Sequence, residues 1–274
     1  MELLRALGAL CEPPGPRHPA IAAALELPVP SAADHTDLFV LQLVPYASVH
    51  LGPEGMLGGE ALDRVAGFWR AVGLVPPAEP DHLVALLALY TALAEDDRAW
   101  AARATLLHEH LLSWLDPWLA RVIEIGPPAY AAWAELLAAA LRAEADELLE
   151  GDEPLPVQLR AATPLEPPEL SGGAAFLDAL LAPARSGLLL VRDDLARAAR
   201  ELGLGARVAE RRYVLRSLLG QDAAGTLGWL EQEAWRMARR PAVVAGPAVA
   251  AYWGNRAAAT AAVLADTTEV MHAR

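Results

Sequence analysis

An all-α fold is predicted for this chain by three observations. Ala and Leu, both strong helix formers, dominate a composition that is 54% hydrophobic. Between the prolines, apolar residues recur at i, i+3, i+4 and i+7, the spacing of one helix face. Alternating runs of β-branched residues, which would mark half-buried strands, are almost absent. The 274 residues suffice for one large or two small domains around a buried core.

Residues 1–33 read as a short helix, a turn rich in proline (Pro13, Pro14, Pro16, Pro19) and a second short helix ending near Pro28. Asp34 to Val44 follows as a helix, with Leu38, Leu41 and Val44 at helical spacing and Pro45 interrupting it. The loop LGPEGMLGG at 51–59 has four glycines. A phosphate cradle requires a Lys after such a loop, and the chain contains none, so turn chemistry is the reading. Glu60 to Val72 is a helix with Leu62, Val65, Phe68, Trp69 and Val72 inward, stopped by Gly73.

Residues 79–118 are predicted to form a helical hairpin. Leu83, Leu86, Leu87, Tyr90 and Leu93 make one apolar stripe, and Leu107, Leu111, Trp114 and Trp118 make the other. Glu95, Asp96, Asp97 and Arg98 are the polar joint. Pro80 suits a first helical position, and Asp81 suits the positive first turn. His82 is pulled two ways: the helix end disfavours its protonated form, while Glu79 and Asp81 favour it. Asp116-Pro117 reads as a break and a new helix start, with His110 and Trp114 one turn apart on one face.

Pro127-Pro128 opens a long helix to about Glu150, amphipathic through Trp133, Leu136, Leu137 and Leu141. Glu144, Asp146, Glu147 and Glu150 crowd its end, opposing the helix dipole and repelling one another. Solvation or a cationic partner would relieve that. Residues 151–170 contain five prolines, a semi-rigid linker or surface strap between a domain at 1–150 and a C-terminal helical region at 171–274. In the latter, a helix is expected around Phe176 to Leu181. Another starts at Asp193 or Asp194 and ends at Gly203 and Gly205, and a third runs from about Ala206 to Leu219. Segment 185–219 superficially resembles a helix-turn-helix DNA reader, with Arg207, Arg211 and Arg212 as its contacts. The competing reading is an arginine-rich helical hairpin with solvated charges. The last helices, around Asp222 to Arg239 and Pro247 to Ala265, carry Trp229, Trp235 and Trp253 as packing anchors.

The net charge of −13 is uneven. Residues 1–150 hold 8 Arg against 21 acids, and residues 151–274 hold 14 against 14. An acidic first part attracts cationic partners and disfavours general nucleic-acid binding. The single cysteine, Cys11, cannot form an internal disulfide, which fits a reducing compartment. The start MELLRALGALCEPP is not expected to be a lipoprotein leader ending at Cys11, because Glu2 stands in place of a basic start, the apolar run is too short and Leu10 precedes the Cys. The least charged stretch, Pro241 to Ala265, is interrupted by Pro247, Gly254, Asn255 and Arg256, so no membrane insertion is expected.

Catalytic arrangements are weak. Ser48-x-His50 alone is not a triad, and no G-x-S-x-G elbow is present. His108-Glu109-His110 is not H-E-x-x-H, because alternate helix residues point to different faces. With His82 these histidines have no cysteine pair to complete a metal site. No catalytic residue, metal or cofactor is assigned.

EPDH at 79–82, followed by HEHLLSW at 108–114 and Pro117-Trp118, resembles the TorD/DmsD/NarJ family. Its members are cytoplasmic chaperones dedicated to molybdenum-cofactor oxidoreductases. PYASVHLGPEGMLGG at 45–59 and FWRAVGL at 68–74 extend the resemblance to about residues 34–150. The resemblance implies a compact TorD-type helical bundle, with residues 171–274 as an addition to it. It also implies a partner: the apo catalytic subunit of a molybdopterin oxidoreductase and its twin-arginine leader, held for cofactor insertion by a monomer or homodimer. Such a leader carries two guanidinium groups and an apolar run, so its reader needs carboxylates and a helix-lined groove. Glu79 and Asp81 would supply the first, with His82 beside them. Tyr90, His110, Trp114 and Trp118 would border the second. Two rivals are a DNA-binding regulator using 185–219 and a stable assembly subunit of a membrane oxidoreductase.

Overall fold

The computed structural model describes residues 1–273. It is all-α: among the described residues the only β-pairing is one isolated bridge, Tyr46 to His82. The chain forms two compact units, each assembled from separated stretches of sequence. One contains Met1–Ser48, Leu57–Arg160 and Ala242–Ala250, and the other contains Val49–Met56, Ala161–Pro241 and the chain from Ala251 onward.

The first unit starts with α1 (Glu2–Leu10) and α2 (His18–Ala24). The expected helix after Asp34 has two parts, α3 (Ala32–His35) and a π-helical turn at Thr36–Gln42. Ser31 starts it with a capping box, its hydroxyl accepting from the Asp34 N–H while Asp34 accepts from the Ser31 N–H. Next come α4 (Ala47–Leu51, shared between the units), α5 (Gly59–Ala71) and α6 (Leu83–Leu93). The second arm of the hairpin is unbroken: α7 (Trp100–Thr105), a π-helical turn at Leu106–Leu112, and α8 (Ser113–Ile125). Pro117 therefore lies inside a helix, where a break was expected. Its missing N–H removes one donor from the helix ladder. Just upstream the π turn has loosened the i−4 ladder, and side chains serve it instead: the Ser113 hydroxyl donates to the Glu109 carbonyl and the Trp114 indole to the His110 carbonyl. α9 (Pro128–Leu148) packs along α8, burying Trp133, Leu137 and Leu141 as its periodicity requires.

The core of this unit is aromatic. Phe39 stacks on Trp118 at 5.7 Å, and Tyr130 and Trp133 meet Phe39 edge to face. Trp114 and Trp133 pack edge-on against Trp118. Buried indole N–H groups need acceptors. That of Trp118 donates to the Leu43 carbonyl and that of Trp133 to the Leu7 carbonyl, so the core is pinned to the backbone at both ends. The proline-rich stretch after α9 behaves as a strap. His108 Nε2 donates to the Pro154 carbonyl (2.8 Å), and Glu109 accepts from the Val157 N–H (2.8 Å) where α10 (Val157–Ala161) begins.

The second unit contains α11 (Pro168–Ser171), α12 (Gly173–Leu181), α13 (Pro183–Ser186), α14 (Arg192–Glu201), α15 (Arg211–Gln221) and α16 (Ala223–Ala238), with most of α17 (Pro247–His272). Its core is mainly aliphatic, built from residues such as Leu177, Leu180, Leu195, Leu215, Leu230 and Leu264. Here the Gly-rich loop finds its reason. Gly55 has φ +62°, and a Cβ there would sit 2.6 Å from the Leu181 carbonyl oxygen, so only glycine fits.

Candidate functional site

Residues 45–48 and 79–83 are laced together at the start of α6. The Ala47 N–H donates to the Asp81 carbonyl (3.1 Å) and the Leu83 N–H to the Pro45 carbonyl (2.8 Å). Asp81 is fully buried, and its Oδ2 accepts from the Ser48 N–H at 2.9 Å. Ser48 Oγ in turn accepts from the Gly58 N–H. His82 caps α6, its Nδ1 accepting from the Val84 N–H at 3.2 Å, and its ring meets Tyr46 edge to face at 4.7 Å. The two opposing pulls on this imidazole resolve downward. Burial holds its pKa below the ordinary histidine value against the raising effect of Glu79 and Asp81, and the neutral ring is the form that can accept from the Val84 N–H.

Above this lacing the surface is open. Glu79 is exposed and accepts from the Tyr46 hydroxyl at 2.9 Å. Burial, then that hydrogen bond, push the Tyr46 hydroxyl up to about 12, so it remains a donor. The segment leading to Glu79 exposes Leu74 and Val75, the latter 89% accessible, followed by the exposed Pro77 and Ala78. Trp69 anchors it from below by donating to the Pro80 carbonyl.

The other expected site residues lie elsewhere. Tyr90 is buried; its hydroxyl donates to Glu144 (2.8 Å), and Arg103, paired with the same carboxylate, lies over its ring at 5.0 Å. One of the acids crowding the end of α9 is therefore neutralised within the molecule. His110 is buried against Phe68 at 4.9 Å, and burial lowers its pKa to about 4. Trp114 and Trp118 have no solvent-accessible surface. This corrects the expectation of Asp81 as a carboxylate for the peptide's guanidinium groups and of Tyr90, His110, Trp114 and Trp118 along a groove: all five side chains are buried. Their side chains are sealed inside, because a flat indole gains more from a dry aromatic cluster than from a wet rim. Only Glu79 and, half-buried, His82 reach a surface. Exposed Leu74 and Val75 carried no periodic signal, and sequence reasoning passed over them.

The helix-turn-helix expectation meets a similar obstacle. Arg211 donates to the Leu190 carbonyl (2.7 Å), and Arg212 is held in a two-pronged pair by Asp178. α14 and α15 are separated by residues 202–210, much longer than the three- or four-residue turn of that motif. Among the described residues, no group of three His, Cys, Asp or Glu side chains is placed to hold a metal ion, and no helix is long and apolar enough to cross a membrane.

Residues 19–120 match the family model described as the nitrate reductase delta subunit. This is a NarJ/TorD-type family of molybdoenzyme maturation chaperones, not of catalysts, and it is the family that the motifs at 45–118 resemble. No curated protein and no solved structure matches the chain.

Proposed function

From the family match over residues 19–120, we propose that this chain is a cytoplasmic maturation chaperone. It binds the twin-arginine leader and the apo form of a molybdopterin oxidoreductase and holds them until the cofactor is inserted. The observation that carries the proposal is the surface at 74–79, inside the matched segment, where an exposed apolar strip ends at the Glu79 carboxylate. A leader with paired guanidinium groups followed by an apolar run is complementary to that arrangement. The forked donors meet Glu79, and the apolar run covers Leu74 and Val75. Asp81, His82, Trp114 and Trp118 serve from below, as the lacing and the foundation that hold the surface in one conformation.

The magnitude suits a handover. An exposed charge pair contributes about 1 kcal/mol or less. With apolar burial at about 25 cal/mol per Å² partly offset by the cost of ordering the peptide, the dissociation constant falls at roughly micromolar or weaker. The test is calorimetric titration of the full chain with a synthetic leader peptide and with a copy in which two glutamines replace the arginine pair. Glu79→Gln is expected to weaken the arginine peptide several-fold and leave the melting temperature unchanged, whereas Asp81→Asn lowers the melting temperature. Equal affinity for the two peptides would sink the proposal.

A further inference from the structure

A groove of about 440 Å³ runs through the first unit between the C-terminal half of α9, residues 149–153 and the returning segment 244–249. Its apolar lining includes Leu112, Leu149, Val244 and Val249. One arginine and three acidic side chains border it. Two are occupied: Arg142 donates to the Val243 carbonyl, and Glu153 accepts from the Glu150 and Gly151 N–H groups. Asp146 and Glu150 are exposed carboxylates with no ion pair among the described residues. The slot is therefore apolar inside and negative at its edge.

Its outer wall is held with unusual firmness. The buried Asp116 of α8 accepts from three successive backbone N–H groups, those of Val243 (2.8 Å), Val244 (2.8 Å) and Ala245 (3.0 Å), through one oxygen. A buried carboxylate is costly unless such donors surround it, and here they fasten a loop that has little other local structure.

We infer that this groove docks an extended cationic and apolar segment of the client polypeptide. An apolar side chain enters between Leu112, Leu149 and Val249, and an adjacent Arg or Lys lies between Asp146 and Glu150. The charge at the edge selects the occupant: a neutral or acidic segment would leave both carboxylates uncompensated. The volume is that of a small-ligand site and suits two or three side chains. That the segment comes from a client rests on the chaperone reading above; the groove itself is independent of the Glu79 surface.

The experiment is fluorescence anisotropy of the full chain with a fluorescein-labelled decapeptide of alternating leucine and arginine. A counterpart with glutamine in place of arginine serves as the control. The double variant Asp146→Asn, Glu150→Gln changes exposed residues only and should bind the arginine probe about five-fold more weakly, a difference that high salt erases. Ala248→Trp, which fills the slot from an exposed position, should abolish binding with the circular dichroism spectrum unchanged. Glu79→Gln should weaken the probe less than either groove variant does. No binding of the probe, equal binding by the double variant, or equal binding of the glutamine peptide overturns the groove. A loss confined to Glu79→Gln overturns it as well, and leaves the chaperone reading standing. Groove binding of the decapeptide beside indifference of the chain to the arginine pair of the leader would overturn that reading and leave the groove a peptide site.

Discussion

The two units hold their cores by opposite means. The first is a dry aromatic cluster, in which Phe39, Trp114, Trp118, Tyr130 and Trp133 interlock and spend their indole N–H groups on backbone carbonyls. The second is an aliphatic core clasped by charge. Arg197 lies over Trp229 at 4.8 Å, pairs with Glu233 at 2.9 Å and with Asp194 at 3.3 Å, and Trp229 donates to Glu201. Trp114, Trp118 and Trp133 of the first unit are therefore wedges inside a packed interior. Trp229 of the second is a bearing for ion pairs. The lesson is that aromatic residues beside a motif are not thereby part of its working surface. In the first unit the motif's exposed tip and its buried aromatics are separate layers of one construction.

The largest expected effect tests the aromatic layer. Trp118→Ala removes a fully buried ring and should destabilise the first unit by about 3–5 kcal/mol, read from denaturant unfolding. A loss below about 1 kcal/mol would mean that the cluster is loosely packed. Asp116→Ala comes next, leaving three backbone N–H groups without their acceptor. About 3 kcal/mol is expected, together with faster proteolysis at 242–246.

The two units should also differ in their response to acid. Burial depresses His110 to about 4 from 6.5, so the unfolded chain binds the proton first as pH falls. The stability this neutral ring confers is complete above pH 6.5 and is lost progressively down to about pH 4, by up to about 3 kcal/mol. His110→Leu should flatten that part of the profile. Glu233 is governed by its ion pairs. Burial alone would raise it, but hydrogen bonds from Arg197 and Arg236 outweigh burial and hold it below its ordinary 4.5. Its contribution is present above that value and disappears as pH falls through the depressed one. Glu233→Gln should therefore cost about 2 kcal/mol at neutral pH and much less in strong acid. If both variants altered the same pH window, the contrast between a wedged and a clasped core would be lost.

Much of the helical layout was legible because it depends on local rules. The stripes Leu83–Leu86–Leu87–Tyr90 and Trp133–Leu137–Leu141 obey helical spacing, and their inward faces are those the periodicity marks. The exceptions are the places where tertiary contacts override local chemistry. Pro117 breaks a helix by any local rule, yet the flanking segments continue through it, because both bury their apolar faces in one core. The site was half legible. Motif spacing located the 79–82 turn, and His82 was identified as a residue under opposing pulls. Whether Trp114 faces a groove or a core was beyond the periodicity, since both alternatives place it on the same helix face.

Composition and spacing by themselves determined the all-α class and much of the helical layout, because these follow from propensity and from interactions within a few residues, while the motifs at 45–118 carried the family resemblance. Only the tertiary structure decided which carboxylates are buried and which are free. Asp81 and Asp116 are spent on backbone N–H groups, and Glu144 on Tyr90 and Arg103, while Glu79, Asp146 and Glu150 are left at the surface. The partners that make the difference lie 33 to 129 residues away along the chain, and no local pattern carries information across that distance.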